Sequence, residues 1–213
     1  MAHLLHYYQD APLKNRLICK YRELICPSRP ILEHLSASDS VLDIGCGVGL
    51  MLMLAAEHGL MKTGHGIDLS QSAITTAQNA SGKAKLKHGG HPDLYFDACA
   101  DPKDWPESTY DTVLMIDVMH HIPPDQQAGF FAAAVTRVKP GGRMIYKDMC
   151  KRPLWRATAN RLHDLALARQ WIHYRPMARI HEWAVDNGLE PAYERTYNKL
   201  WYGHQLLVLT KHA

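Results

Sequence analysis

The sequence lacks the features that mark secreted, zinc-binding and membrane-spanning proteins. Its five cysteines include no C-x-x-C pair and no zinc-ligand spacing, so we expect reduced thiols and no bound metal. No window approaches the roughly 20 apolar residues of a membrane span. The first residues, MAHLLHYYQDAPLK, contain no signal-peptide run. Together these absences predict a soluble, cytoplasmic protein.

Charge of one sign, internal repeats and low-complexity tracts are also missing. The formal net charge is only +3, with 24 Lys and Arg against 21 Asp and Glu, which does not demand a nucleic-acid partner. Apolar residues make up 46% of the chain, enough for a sizeable core. A length of 213 residues therefore fits one folded domain with a small appendage.

The hydrophobic pattern alternates between strands and helices from Val41 to Met149. Strand-like runs (SVLDI, GHGIDL, DLYFDACA, YDTVLMIDV, RMIYKDM) are separated by helix-like runs (GLMLMLAAEHG, QSAITTAQNA, QQAGFFAAAVTRV). This rhythm predicts an α/β fold with a doubly wound, mostly parallel sheet, helices on both faces and a C-terminal antiparallel hairpin. The expected divisions are an N-terminal helical cap (1–37), a ligand-binding core (38–149), a helical lid (150–190) and a strand hairpin (191–213).

Two helices are predicted before the first strand, the second a short one at ILEHL after the break at Pro27 and Pro30. The run LKNRLICKYRELI places five apolar residues near one face at helical spacing: Leu13, Leu17, Ile18, Tyr21 and Leu24.

The first strand runs directly into a glycine-rich turn, VLDIGCGVG. Glycine permits positive φ and leaves no Cβ between the backbone and a ligand, so a nucleotide-like ligand is expected at this turn. The dinucleotide pattern G-x-G-x-x-G is not met, because Leu50 follows Gly49 where that spacing needs glycine. No Walker lysine follows either. Asp68 closes the second strand, at the position where a ribose-binding carboxylate belongs.

Four segments resemble motifs of the class I S-adenosylmethionine-dependent methyltransferases. VLDIGCGVG resembles the first motif, GIDLS the acidic end of the second strand, YDTVLMIDVMHHI the fourth-strand motif and KPGGRMIYKD the turn after it. They occur in the family's order over residues 41–148. The resemblance implies a Rossmann-like, seven-stranded fold and S-adenosylmethionine as the cofactor.

The resemblance also implies roles for individual residues. The glycine turn would pass beneath the cofactor, Asp43 would position the loop or the methionyl ammonium, Asp68 would bind the ribose hydroxyls and Leu69 would lie against the adenine. The implied cofactor-binding residues are Asp43, Gly45, Cys46, Gly47, Gly49, Asp68, Leu69, Asp101 and Asp117. Each carboxylate could also have a purely structural role: Asp43 could cap a helix, Asp68 could simply end a strand and Asp117 could hold a turn.

The adenine contact and the catalytic base are less determined. ADPKDWP resembles the third motif and favours Asp101 at the adenine amino group, but Pro102 has no N–H to donate, and Asp97 is the alternative. His120 and His121 are candidate general bases for a phenol or an enol carbon, although either histidine could be structural.

The acceptor predicted by the resemblance is an oxygen or carbon of a small metabolite. DVMHHI resembles the branch that acts on small molecules, quinones and lipids, whereas the amino-methyltransferase signature with Pro-Pro and an aromatic residue is missing. The segment 151–179 has seven Lys or Arg residues and one acid, Asp164. It is predicted to be a solvated lid or to meet an acyl carrier protein, a phosphorylated substrate or a membrane surface. It also resembles methyltransferases that accompany aryl-polyene pigment biosynthesis.

Three other functions compete with this interpretation. An RNA or protein methyltransferase would use the same cofactor fold and bind a macromolecule through the arginines of 151–179. A nicotinamide-dependent oxidoreductase would need the glycine that Leu50 replaces. A cofactor-binding protein without catalysis would bind S-adenosylmethionine and turn nothing over. The sequence does not determine the acceptor or the oligomeric state.

Overall fold

The computed structural model describes residues 2–88, 92–149, 175–199 and 202–213, and they build one seven-stranded sheet. The strand order is β3-β2-β1-β4-β5-β7-β6; strands β1 to β5 are parallel, and β7 runs antiparallel to β5 and β6. The predicted fold class is therefore confirmed. The strands are β1 Ser40–Ile44, β2 Thr63–Asp68, β3 Asp93–Ala98, β4 Tyr110–Ile116, β5 Val138–Met149, β6 Leu189–Lys199 and β7 Tyr202–Lys211.

A serine cap begins one of the described helices, and a glycine follows two others. The Ser70 hydroxyl accepts the Ala73 N–H at 3.3 Å at the start of α4, and Gly59 and Gly188 follow α3 and α6 with positive φ. The helices are α1 Leu13–Ile25, α2 Arg29–Leu32, α3 Leu50–Glu57, α4 Gln71–His88, α5 Gln127–Thr136 and α6 Met177–Asp186; 3₁₀ turns span Ala2–Tyr8, Pro102–Asp104 and Met119–His121. None of the helices in the described ranges combines the length and apolarity that crossing a bilayer requires.

Both faces of the sheet are covered because the central strands are apolar at successive positions. Leu42 and Val113 face a core that includes Phe131 of α5 and Ile180 of α6. Their neighbours Val41 and Leu114 face a second core, together with residues of α3 and α4. A near-continuous apolar run is what a parallel strand buried on both faces needs.

The N-terminal helices pack on α3 and α4, and a third apolar cluster joins them to the sheet. The expected lid at 150–190 needs a correction for its last helix. Ile180 and Ala184 of α6 are buried in the sheet core beside α5, so α6 belongs to the covering layer rather than to a lid. Residues 150–174 lie outside the described residues. The other domain boundaries remain predictions.

Strand β1 is the point at which the chain reverses its direction across the sheet. From β1 the order runs to β2 and β3 on one side and to β4 and β5 on the other. Loops leave β1 and β4 towards opposite faces at such a point, and a crevice opens at the carboxyl ends of the strands. The glycine turn after β1 and the loop after β4 both lie at this edge.

Candidate active site

The glycine turn has three residues with positive φ, at +75° for Gly45, +55° for Gly47 and +74° for Gly49. Two of them are also needed for packing. A Cβ on Gly45 would lie 2.3 Å from a Val118 methyl, and one on Gly49 would lie 2.7 Å from the Phe96 ring. A Cβ on Gly47 would meet nothing within 4 Å. Gly47 therefore leaves open space beside the turn, whereas Gly45 lets Val118 of the loop after β4 approach and Gly49 lets Phe96 of β3 approach.

Asp68 closes the turn from the end of β2. Its two carboxylate oxygens accept the backbone N–H groups of Gly47 at 2.9 Å and Ser70 at 2.8 Å. A carboxylate offers about four acceptor sites, so two further hydrogen bonds can be made. Leu69, the next residue, is 79% exposed and presents an apolar surface beside that carboxylate.

A cavity of about 530 Å³ opens at this edge of the sheet. Most of the residues implied by the resemblance line it, and three of them, Gly49, Asp101 and His120, do not. The lining includes Asp43, Gly45, Cys46, Gly47, Asp68, Leu69, Asp117 and His121. The structure therefore brings residues from β1, β2, β4 and the loops after them to one space.

Neither candidate for the adenine contact is in this lining. The Asp101 carboxylate accepts the Lys103 N–H at 3.0 Å and caps the short turn that follows, and Asp97 pairs with His65 at 2.7 Å. Cys99 and Ala100, which lie between them, do line the cavity. The chain therefore lines the cavity here with the small residues Cys99 and Ala100, while the Asp97 and Asp101 carboxylates have partners outside the lining.

Asp43 is 3% exposed and lies in β1, so it does not cap a helix. Burial raises the pKa of its carboxyl group to about 7, Asp68 adds to this effect and Arg22 opposes it. The carboxyl group lines the cavity, where a cationic ligand group would favour its ionised form.

Asp117 has φ of +56° and is the one non-glycine residue with positive φ in the described ranges. Its Oδ1 lies 2.6 Å from Nζ of Lys147, and its Oδ2 lies 3.2 Å from Nη2 of Arg22. Burial alone would raise the pKa of Asp117, but the charges of Lys147 and Arg22 outweigh it and hold the pKa well below its usual value. Asp117 is therefore a fixed anion in the cavity wall.

Arg22 and Lys147 are site residues that the sequence interpretation missed. Arg22 reaches the cavity from α1 and is one-third exposed, and Lys147 is fully buried in β5. A lysine after the apolar run in the strand RMIYKDM was one available signal. The spacing of seven between Asn15 and Arg22, which puts both on one side of α1, was another.

The two histidines of the turn Met119–His121 have different surroundings. His120 is buried, with its ring Nδ1 2.5 Å from Asp148 Oδ1, and its backbone N–H donates to Asp148 Oδ2 at 3.2 Å. His121 is exposed, lines the cavity and has its ring centre 4.1 Å from that of His120. His120 is thus held by Asp148, whereas the neighbouring His121 lines the cavity.

Gln127, at the start of α5, fixes this turn. Its buried Nε2 donates to the carbonyl oxygens of Met119 and Ile122, each at 3.0 Å, and Arg175 donates to its Oε1. Arg175 also donates to the Pro124 carbonyl at 2.9 Å.

No group of three potential metal ligands occurs among residues 2–88, 92–149, 175–199 and 202–213. The sequence H-G-G-H at 88–91 contains two histidines, which are potential metal ligands, but residues 89–91 lie outside these ranges.

Residues 13–194 match the methyltransferase domain family. The chain belongs to that family, which confirms the resemblance drawn from the motifs. Among curated relatives, a ubiquinone biosynthesis O-methyltransferase of Albidiferax ferrireducens is 29% identical over 57% of this chain and 46% of its own length. One of Coxiella burnetii is 30% identical over 51% of this chain and 43% of its own. The chain spans about half the length of these relatives.

Solved structures show the same fold at low sequence identity. Magnesium protoporphyrin IX methyltransferase of Synechocystis PCC 6803, with bound SAH, has a TM-score of 0.67 at 20% identity, covering 97% of this chain and 91% of that one. An O-methyltransferase family protein of Burkholderia thailandensis has 0.71 at 20%, covering 98% and 62%. The [4+2]-cyclase SpnF has 0.68 at 14%, covering 95% and 97%. A cyclase among them illustrates that this fold does not determine the reaction.

Proposed function

We propose that this chain binds S-adenosylmethionine in the cavity and transfers its methyl group to an oxygen or carbon of a small, aromatic or lipid-like metabolite. The observation that supports this most directly is the Asp68 carboxylate beside the open space at Gly47, in a chain of the methyltransferase domain family. The names of the relatives, which include ubiquinone biosynthesis O-methyltransferases, are consistent with an aromatic, lipid-like acceptor.

In this proposal, each carboxylate and Arg22 bind a different part of the cofactor. Asp68 uses its two remaining acceptor sites for the vicinal ribose hydroxyls. Leu69 lies against the adenine, and the backbone of Cys99 and Ala100 follows its edge in place of the expected Asp101. Asp43 faces the methionyl ammonium, and Arg22 faces the methionyl carboxylate. Bound there, the cofactor supplies an electrophilic methyl group, and the protein aligns the acceptor with it and excludes water.

One histidine of the turn serves as the base for an acceptor that must lose a proton. His121 lines the cavity and is the residue we assign to contact with the acceptor hydroxyl or enol. His120 holds the turn through its contact with Asp148 and positions His121 rather than contacting the acceptor.

The competing functions have less support from the described residues. For a macromolecular substrate, Arg175 and Arg179 are the described arginines of 151–179, and both are engaged within the chain, with Gln127 and with Glu182 at 2.6 Å. For a nicotinamide cofactor, the position that needs glycine holds the buried Leu50 of α3. Contact of the basic segment 151–179 with a carrier protein or a membrane remains a prediction, because residues 151–174 lie outside the described ranges.

Calorimetry with S-adenosylmethionine tests the cofactor assignment. Asp68→Ala should weaken binding about 10- to 100-fold, because charged hydrogen bonds to the ribose are lost. Asp93→Ala, at the start of the neighbouring strand and paired with Lys85 away from the cavity, is the control and should bind like the wild type. Unchanged affinity in Asp68→Ala would contradict the assignment, as would tight nicotinamide binding without any affinity for S-adenosylmethionine.

A screen of cell extracts by mass spectrometry, with cofactor carrying a deuterated methyl group, tests catalysis. Transfer of the label to a small metabolite is expected, and its loss in His121→Gln for acceptors with a hydroxyl proton would support the base. Label found only in RNA or protein would favour the macromolecular alternative. A chain that binds the cofactor and labels nothing would be a binding protein.

A further inference from the structure

Helix α1 has its polar side buried and its apolar side exposed, the reverse of an ordinary surface helix. Its buried residues are Asn15 and Cys19. The outer face of α1, which we define as Leu13, Leu17, Tyr21 and Leu24, is 68%, 45%, 45% and 46% exposed. With Ile18, this one helix holds half of the exposed large apolar side chains in the described ranges.

Polar contacts prevent α1 from rolling its apolar side inwards. Asn15 Nδ2 donates to the Thr76 hydroxyl at 2.8 Å in a buried hydrogen bond, and Arg22 pairs with Asp117 in the cavity wall. Rotation would leave those buried partners unsatisfied, which costs about 1–3 kcal/mol for each group. The outward position of the apolar side is therefore built into the packing.

The outer face is bordered by positive charge. Lys14, Arg16 and Lys20 are exposed on the same helix. Glu23 is the one acid of α1, and its carboxylate accepts the N–H and the hydroxyl of Ser28 instead of pairing with these cations. A helix with leucines and tyrosine on one side and lysine and arginine beside them has the composition of an interfacial membrane helix.

A second copy of the chain fits this face poorly. A helix of 13 residues is about 20 Å long and about 10 Å wide, so it offers about 200 Å². A stable protein interface buries about 800 Å² on each partner. Two copies of α1 would also bring Lys14, Arg16 and Lys20 of each copy together, and the like charges would repel one another.

We propose that α1 docks the protein on an anionic membrane surface, with the outer face of α1 in the boundary between lipid headgroups and acyl chains. The leucines and Tyr21 enter that boundary, and the three basic side chains contact the headgroups. Docking of this kind needs no membrane-spanning helix.

The same helix lines the cavity with Lys14, Asn15, Ile18 and Arg22. Docking through α1 therefore places the cavity opening beside the bilayer, where an apolar acceptor would be concentrated. This use of docking rests on the proposed function, whereas docking itself rests only on α1.

Cysteine labelling with a maleimide, read at each site by peptide mass spectrometry, tests the docking. Leu17→Cys carries the probe on the outer face, and Leu86→Cys, at a position 89% exposed on α4, is the matched control. Without lipid, both sites should react, and Leu17→Cys should be at most about threefold slower, because Leu17 is 45% exposed and Leu86 is 89% exposed. Vesicles of phosphatidylglycerol and phosphatidylcholine should slow the reaction at Leu17→Cys about tenfold and leave Leu86→Cys unchanged. Slow labelling of Leu17→Cys without lipid would mean that the chain or a second copy covers the face, and it would overturn the proposal.

Co-sedimentation with the same vesicles provides the second measurement. Bound protein should increase with phosphatidylglycerol content and decrease at high salt. The double variant Leu17→Gln, Leu24→Gln should bind at least about tenfold less, because less apolar area is buried, while Leu86→Gln binds like the wild type. Equal vesicle binding by the double variant and the wild type would overturn the proposal, as would a dimer in solution that the double variant abolishes. Calorimetry with S-adenosylmethionine shows whether each variant keeps its cavity. None of these measurements depends on methyl transfer, so a failure of the proposed function would be seen separately.

Discussion

Lys147 and Asp117 are joined twice across the ends of β4 and β5. Lys147 Nζ lies 2.6 Å from Asp117 Oδ1, and the Asp117 N–H donates to the Lys147 carbonyl oxygen at 2.8 Å. The lysine side chain is fully buried, and burial would lower its pKa, but the Asp117 charge more than compensates and raises it. The pair thus holds an ionised carboxylate, at positive φ, in the wall of the cavity.

We predict that Lys147→Met destabilises the protein by about 3 kcal/mol, because removal of one partner leaves the Asp117 charge buried with Arg22 alone. Urea unfolding measures the change. Lys139→Met removes a cation 3.0 Å from Asp111 in a pair that is 39% exposed, and it should cost no more than about 1 kcal/mol. The double variant Lys147→Met, Asp117→Asn should be more stable than Lys147→Met. Equal losses from the two lysine substitutions would show that the buried pair has no special role.

The parts of the structure that local patterns determine could be predicted from the sequence. The alternation of strands and helices determined the sheet, and VLDIGCGVG with Asp68 located the cavity. The partners of Asp117 could not be predicted, since Arg22 and Lys147 reach it from elements distant in the sequence. Spacing also identified the apolar side of α1 but not its exposure, because periodicity shows which residues share a face and not where that face points. The cap that the Asp101 carboxylate forms with the Lys103 N–H could not be predicted either, since motif spacing does not reveal local hydrogen bonds.

Gly47→Ala should separate the cost of backbone conformation from the loss of ligand space. A left-handed conformation costs a residue with a Cβ about 1–2 kcal/mol, and the new methyl group would point into the open space of the cavity. Gly59→Ala is the control, since Gly59 has φ of +62° and nothing within 4 Å of its Cβ position, at the end of α3. Both variants should lose similar stability on thermal unfolding, and only Gly47→Ala should lose affinity for S-adenosylmethionine in calorimetry. Comparable affinity in the two variants would mean that the ligand does not pass close to Gly47.

Gln127→Leu should loosen the turn that carries the histidines. The Met119 and Ile122 carbonyl oxygens lose the donor that reaches both, and an unsatisfied buried acceptor costs about 1–3 kcal/mol. Hydrogen exchange of the amides in residues 119–122 should therefore speed up about tenfold or more. Gln126→Leu, at the exposed position just before it, should leave the exchange unchanged. Equal exchange in both variants would show that the turn is held by other contacts.

Cofactor binding should release a proton from Asp43 in mildly acidic solution. Burial raises the pKa of this carboxyl group from 3.8 to about 7 in the empty cavity, so most molecules carry the proton at pH 6. A methionyl ammonium beside it favours the carboxylate, so binding should release about one proton at pH 6, and this release should decrease as pH rises through about 7. Calorimetry in buffers of different ionisation enthalpy counts the protons, and Asp43→Asn should abolish the release. Release that persists in Asp43→Asn would assign the proton to another group.

The raised pKa of Asp43 also determines how the stability of the folded protein changes with pH. The pKa of Asp43 is higher in the folded protein than in the unfolded chain, so the unfolded chain loses its proton first as pH rises. Relative to Asp43→Asn, the wild type should therefore lose stability between about pH 4 and pH 7 and level off above that range. Urea unfolding of both proteins across this range measures the difference. If the wild type instead loses stability relative to Asp43→Asn as pH falls, the folded protein favours the charged form of Asp43, contrary to its burial.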